Sequence, residues 1–184
     1  MINIVVWIIV GALAFAILYV ILSFNNLIML KNRVENAWSQ IDVQLKRRYD
    51  LIPNLVNSVK GYMKHEKNVL TDITKMRSSL VSGSMSQKAK ASDAVSNALK
   101  TIFAVSERYP KLAASENFKV LQEELAGTES KIAFARQFYN DNVMEINNKI
   151  EQFPSRIIAA LLDFKRREFF RSEESEKKAL KVEF

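Results

Sequence analysis

An all-α protein is what this sequence predicts: an N-terminal transmembrane helix that continues into an elongated antiparallel helical bundle, with three long helices and a short C-terminal one. Three observations predict it. Residues 4–24 (IVVWIIVGALAFAILYVILSF) carry no charged side chain, and about twenty apolar residues at 1.5 Å rise match the roughly 30 Å hydrocarbon core of a bilayer. The whole chain holds only four Gly and three Pro in 184 residues, too few for the tight turns of a sheet protein. Beyond the apolar run, hydrophobic residues recur at steps of three and four, the period of one helix face.

The apolar run is expected to be a retained anchor and not a cleaved leader. No Lys or Arg precedes it, it is too long for a signal-peptide core, and Leu22, Ser23 and Phe24 lead into Asn25 and Asn26 without a small-x-small site. The chain has no Cys, hence none for lipid attachment. Lys31 and Arg33, then Lys46, Arg47 and Arg48, follow the run while none comes before it. The positive-inside rule therefore puts the N-terminus outside and the large domain in the cytoplasm of a cell with a single inner membrane span. The expected division is an anchor at 1–24, one helical-bundle domain at 25–170 and a polar tail at 171–184.

Leu27, Leu30, Val34, Trp38, Ile41 and Leu45 form the first stripe, on a helix expected to continue the span. The stripe resumes as Ile52, Leu55, Val59, Tyr62, Glu66, Val69, Ile73, Met76 and Leu80, with Pro53 between. A proline inside a helix removes one hydrogen bond and crowds the preceding turn, so a kink or restart is expected near Asp50, which is placed to cap it. Ser82, Gly83, Ser84 and Ser86 read as a loop, after which Ala91, Val95, Leu99, Ile102, Val105 and Tyr109 line a second helix that stops at Pro110. Ser115 is placed to cap the third, with a stripe of Phe118, Leu121, Leu125, Thr128, Ile132, Ala135, Tyr139, Val143, Ile146, Ile150 and Phe153. Pro154 ends it, and Ile157, Ile158, Leu161, Leu162 and Phe164 mark a short final helix. Stripes of this kind cannot be buried singly, and breaks at Pro53, Gly83, Pro110 and Pro154 favour folding back within one chain over a long parallel coiled coil.

Several segments, AWSQIDVQLKRRYDLIPNLV at 37–56, VKGYMKHE at 59–66, YPKLAASENF at 109–118, ARQFYNDNVMEIN at 135–147, FPSRIIA at 153–159 and the closing VEF, together resemble the LemA family over nearly the whole chain. Met63 and Asp163 depart from the pattern, which has small residues there. The resemblance implies a bacterial membrane protein with one N-terminal span and a helical bundle, with no established catalytic residues or cofactor. A related branch associated with magnetosome membranes implies a setting in membrane organisation.

No reaction is visible in the residues. One histidine, His65, and no cysteine leave neither a zinc set nor a nucleophilic triad, and the Glu-x-x-His pairs of di-iron bundles do not occur. His65 is expected on a solvated helix face. Carboxylate pairs such as Asp141 with Glu145, or Glu123 with Glu124, read as solvated helix surface. Four dispersed glycines make no phosphate loop. No cofactor, metal or small-molecule substrate is indicated. The formal charge of +7 is spread along helices without interleaved aromatics, which does not fit nucleic acid. The run Lys165, Arg166, Arg167 followed by Glu173, Glu174 and Glu176 reads as a solvated tail.

The segments KRRYD at 46–50 and ARQFYND at 135–141 interrupt apolar faces. Arg48, Asp50, Asn54, Arg136 and Asn140 have two readings: hydrogen bonds across the bundle that fix its register, or a partner-binding or ligand-binding notch where a kink at Pro53 exposes backbone groups. Two function classes follow. One is a non-enzymatic scaffold or adaptor that binds other membrane proteins or itself. The other engages lipid through the basic face of the first helix, because residues 27–114 carry fifteen Lys or Arg against seven Asp or Glu.

Overall fold

The computed structural model describes residues 2–63 and 65–171. Among these the chain is all-helical, without strands: α1 (Ile2–Val59), α2 (Lys67–Arg77), a 3₁₀ turn (Ser78–Leu80), α3 (Met85–Ser106), α4 (Pro110–Ala113), α5 (Glu116–Glu151) and α6 (Ser155–Leu161). The tail from residue 172, with Glu173, Glu174 and Glu176, lies outside the described residues. The chain divides into two compact units, residues 2–37 with 138–169 and residues 38–137 with 170–171.

In the first unit, the most apolar stretch of α1 is covered by nothing and is long and apolar enough to cross a membrane. Cover begins near its end. Tyr19 is half-buried while Ser23 and Leu27 are buried, and these residues, four apart, share one face. Leu27 packs with Ile158 and Ala159 of α6, joined by Tyr19, Ile150 and Phe164. Further along, Leu30 and Val34 are buried, as are Val143 and Ile146 of α5.

After α6 the chain runs back along α5 without regular secondary structure, held by side-chain hydrogen bonds. Asn147 Nδ2 donates to the Arg167 carbonyl at 2.9 Å, and its Oδ1 accepts from the Arg167 amide at 2.8 Å. The Tyr139 hydroxyl donates to the Glu168 carbonyl at 3.0 Å. Burial, against the partly opposing charge of Arg167, pushes the Tyr139 phenol up to about 12. Asp163, at the turn out of α6, has φ 53°, a left-handed conformation that favours glycine, which is the physical sense of a small residue at that place.

The second unit packs parts of α1 and α5 with α2, α3 and the short α4. α5 runs antiparallel to α3, with Arg136 on Asp93, Glu129 on Ser96 and Phe118 on Phe103. α3 runs parallel to α1, with Lys88 on Asp42 and Arg48 on Ser96. α2 folds back beside α1 and packs on α3. The stripe expected to run on to Leu80 therefore leaves α1 at Val59. Residues 60–62 form a turn, Tyr62 is exposed, and the neighbouring Met63 enters the core instead. His65 sits in a turn, not on a helix.

No restart occurs at Asp50. α1 passes through Pro53, whose missing N–H leaves the Tyr49 carbonyl without its helical donor. Arg77 of α2 supplies one: its Nε donates to the Tyr49 oxygen at 2.7 Å and its guanidinium lies 3.7 Å from the Tyr49 ring centroid. Asp50, expected as a cap, is paired with Lys46 one turn back at 2.8 Å. Of the expected loop, Ser82, Gly83 and Ser84 lie between helices, whereas Ser86 is already in the first turn of α3. Gly83 has φ 104°, and Ser84 with Gln87 makes a capping box that starts α3.

Candidate interaction surface

Arg48 lies on the core face of α1, continuing the spacing of Ile41 and Leu45, and its side chain is fully buried. A guanidinium placed there needs acceptors, because an unpaired charge in the interior costs several kcal/mol. α3 offers them where its face is thin: Ser92 is buried, and Ser96 stands one turn further. Arg48 Nη1 donates to Ser96 Oγ at 3.0 Å and to the Ser92 carbonyl at 3.5 Å, while Nη2 bonds Glu129 of α5. Ser96 Oγ in turn donates to Glu129 at 2.6 Å. Burial pulls the Arg48 guanidinium below its ordinary value, and Glu129, by charge and hydrogen bond, and Asp93, by charge, pull it back. One buried cation thus ties three helices. It is turned inward, with its Nε buried and without a hydrogen-bond partner among the described residues.

Arg136 stands at the outer edge of the same arrangement. It pairs with Asp93 at 2.7 Å and sits 5.3 Å from the Phe170 ring, which itself packs on Trp38 at 5.7 Å. Lys88 reaches Asp42 and lies 5.4 Å from the Trp38 ring. Arg48 and Arg136 are therefore brought together through α3. Asp50 and Asn54 are not: both are exposed, and the Asn54 carbonyl accepts from Ser58 within α1. Asn140 belongs to the first unit, where it is half-buried. The carbonyl that the Pro53 position frees is occupied by Arg77, so that notch is closed from within.

What lies open is a groove between α1 and α5 of about 510 Å³, lined by Ser39, Gln40, Val43, Gln44, Phe134 and Ala135, with Lys131 at its edge. Phe134 is 72% exposed and Val43 62%. Gln44 Oε1 is buried without a hydrogen-bond partner among the described residues. Sequence reading missed this groove because Val43 and Phe134 fall off the periodic stripes and look like incidental surface residues. It likewise missed Glu129, whose position shows no anomaly until Arg48 faces it. Among the described residues no three His, Cys, Asp or Glu side chains converge to hold a metal.

The basic residues of the first helix, offered by the sequence to lipid, are largely engaged by acids of the chain itself: Lys31 with Glu35, Arg33 with Glu145, Lys46 with Asp50 and Arg47 with Glu124.

Among the described residues, an all-helical fold with one helix long and apolar enough to cross a bilayer, and with α1, α3 and α5 bridged by polar side chains, fits a membrane-associated helical protein. The chain belongs to the LemA family, whose profile matches residues 37–184. Protein LemA of Metamycoplasma hominis is 28% identical over 158 residues, covering 83% of this chain and 71% of that protein. Magnetosome protein MamQ 2 of Paramagnetospirillum magneticum is 23% identical over 177 residues, 82% of this chain, which spans 65% of that relative's length. Magnetosome protein MamQ of Magnetospirillum gryphiswaldense is 31% identical over 74 residues, 40% of this chain and 27% of its own. None of these names is that of an enzyme.

Proposed function

We propose that this protein is a non-enzymatic scaffold or adaptor, anchored by residues 1–24, whose bundle from 25 to 170 receives an amphipathic helix of another membrane protein in the groove flanked by Val43 and Phe134. The observation that carries this reading is Phe134. A phenylalanine left in water forgoes about 1.5–3 kcal/mol relative to burial, and one beside a recess with an apolar wall is what a partner's helix covers. The groove has Lys131 at its edge, and residues 38–137 carry sixteen Lys or Arg against ten Asp or Glu. An apolar helix face bordered by acidic residues complements both.

On this reading the Arg48 cluster and the Arg136–Asp93 pair hold α1, α3 and α5 in the register that shapes the groove. Asp50, Asn54 and Asn140 lie outside it. The bundle is placed in the cytoplasm, on the side of Lys31 and Arg33. The MamQ relatives, named as magnetosome proteins, support a setting at membranes.

The chain has no native cysteine, so Ser130→Cys gives one attachment point for a photo-crosslinker in native membranes. The expected result is an adduct to a distinct protein that disappears in Phe134→Glu while the circular dichroism stays unchanged. An adduct indifferent to Phe134→Glu, or an adduct to a second copy alone, overturns the proposal.

A further inference from the structure

The short helix α6 has two faces of the wrong kind for a water-soluble cap. Ile158 and Ala159 point inward onto Leu27. Outward, Phe153 is 82% exposed, Leu161 79% and Ile157 55%, with Leu162 also exposed. Four large apolar side chains side by side on a seven-residue helix and its flanks form a patch of the kind that soluble monomers rarely leave open.

Its place in the first unit says what covers it. The face of α1 against which α6 packs is Tyr19, Ser23 and Leu27, and Tyr19 and Ser23 belong to the apolar run. α6 therefore lies beside the last turns of the segment that enters the bilayer, over about 12 Å of helix rise. At that depth the surroundings are the headgroups and the upper acyl chains. The patch is thus continuous with the bare apolar surface of α1.

Charge agrees with this placement. Residues 149–167 carry five Lys or Arg against two Asp or Glu. Arg156 is exposed, and Lys165 and Arg166 are exposed too, paired with the exposed carboxylates of Asp163 at 3.3 Å and Glu151 at 3.0 Å. Such surface pairs are held weakly and exchange readily for lipid phosphates. Apolar residues that reach acyl chains, next to cations on long stems that reach phosphates, are the two halves of an interfacial membrane helix.

We propose that α6 is a second membrane contact of this protein: with Phe153, Ile157, Leu161 and Leu162 inserted among the upper acyl chains and Arg156, Lys165 and Arg166 at the anionic headgroups, it seats the base of the helical domain in the leaflet that α1 enters. This moves lipid engagement from the basic face of the first helix to the opposite end of the sequence. It rests on α1 spanning the bilayer, and it does not depend on what occupies the groove at Phe134.

The test uses the full chain, spin-labelled at single introduced cysteines and reconstituted in vesicles of phosphatidylcholine and phosphatidylglycerol. Leu161→Cys is compared with Ala14→Cys in the apolar run and Ser84→Cys in the second unit. Collision with dissolved oxygen against collision with a water-soluble nickel chelate reads depth. The expected ratio at Leu161→Cys is severalfold above that at Ser84→Cys and below that at Ala14→Cys. In Ile157→Asp/Phe153→Asp the Leu161→Cys ratio falls to the Ser84→Cys value while the Ala14→Cys ratio holds. A water-accessible Leu161→Cys label beside a lipid-buried Ala14→Cys label overturns the inference and leaves the span standing. If Ala14→Cys is also water-accessible, the span itself fails. Dipolar broadening between Leu161→Cys labels identifies a second copy as the cover and overturns lipid contact.

Discussion

The first unit wears its largest apolar residues on the outside, and the second keeps a guanidinium on the inside. Trp7, Phe15 and Phe153 are open, whereas Arg48 has no exposed surface at all. Both invert the ordinary rule for a soluble protein, for different reasons. Along the start of α1 the residues carry no charge for more than twenty positions, a surface that suits lipid better than water. Around Arg48 the core face of α3 offers Ser92 and Ser96, whose oxygens, with Glu129, meet both terminal nitrogens of the guanidinium, while its Nε is buried without a hydrogen-bond partner among the described residues. Burial is therefore informative only when read with the partner each side chain has.

The comparison breaks hardest at Arg48. Arg48→Ala removes the hub of three helices and leaves a side-chain-sized void, so it should lower the unfolding free energy by about 3 kcal/mol, read by guanidinium titration of the detergent-solubilised full chain. Arg48→Met, which keeps the apolar stem, should recover more than half of that loss. An alanine variant as stable as the parent would show that the cluster holds nothing together.

Tyr139 gives the first unit its own buried polar anchor, and its effect depends on pH. The phenol is raised from 10 to about 12 in the folded chain, so the unfolded chain releases that proton first as pH rises. Its contribution is complete below pH 10 and is lost as pH climbs from 10 to 12, on the order of 2 kcal/mol. Tyr139→Phe should therefore show a shallower fall in stability across pH 10–12 than the parent. Parallel curves would place the phenol in water.

The smallest effect sharpens the proline region. Arg77→Ala leaves the Tyr49 carbonyl without its donor and should cost about 1 kcal/mol. Adding Pro53→Ala returns a backbone N–H in helical register to the same oxygen, so the cost of Arg77→Ala should shrink by roughly half or more. Strict additivity of the two changes would refute the role assigned to Arg77.

Much of this was legible along the chain. The stripe from Leu27 to Leu45 and that from Phe118 to Ile146 are core faces almost throughout, because period alone decides which side of a helix turns inward once a partner exists. Phe153 breaks the second stripe: α5 ends at Glu151, so the helical period no longer applies to it. Tyr62 fails for the same reason beyond the end of α1. Arg48 and Arg136 could be singled out as polar residues within apolar segments, yet Asp50 and Asn54 share that feature and join no cluster. Polarity at a core period marks a candidate; which oxygen meets it depends on residues 44 to 81 positions away.

By itself, the sequence determined what depends on near neighbours: the helical class, the uncharged run long enough to cross a bilayer, and the break around Gly83, because these rest on period, length and local backbone preference. Only the tertiary structure decided the rest. It brought Arg77 across 28 positions to the carbonyl that Pro53 leaves free, closed Glu129 and Ser96 on Arg48, opened the groove at Phe134, and set α6 against Tyr19 and Leu27 with its apolar side bare. Each of these needs two distant stretches of chain to meet, and a partner's distance in space is not written in the spacing of residues along a helix.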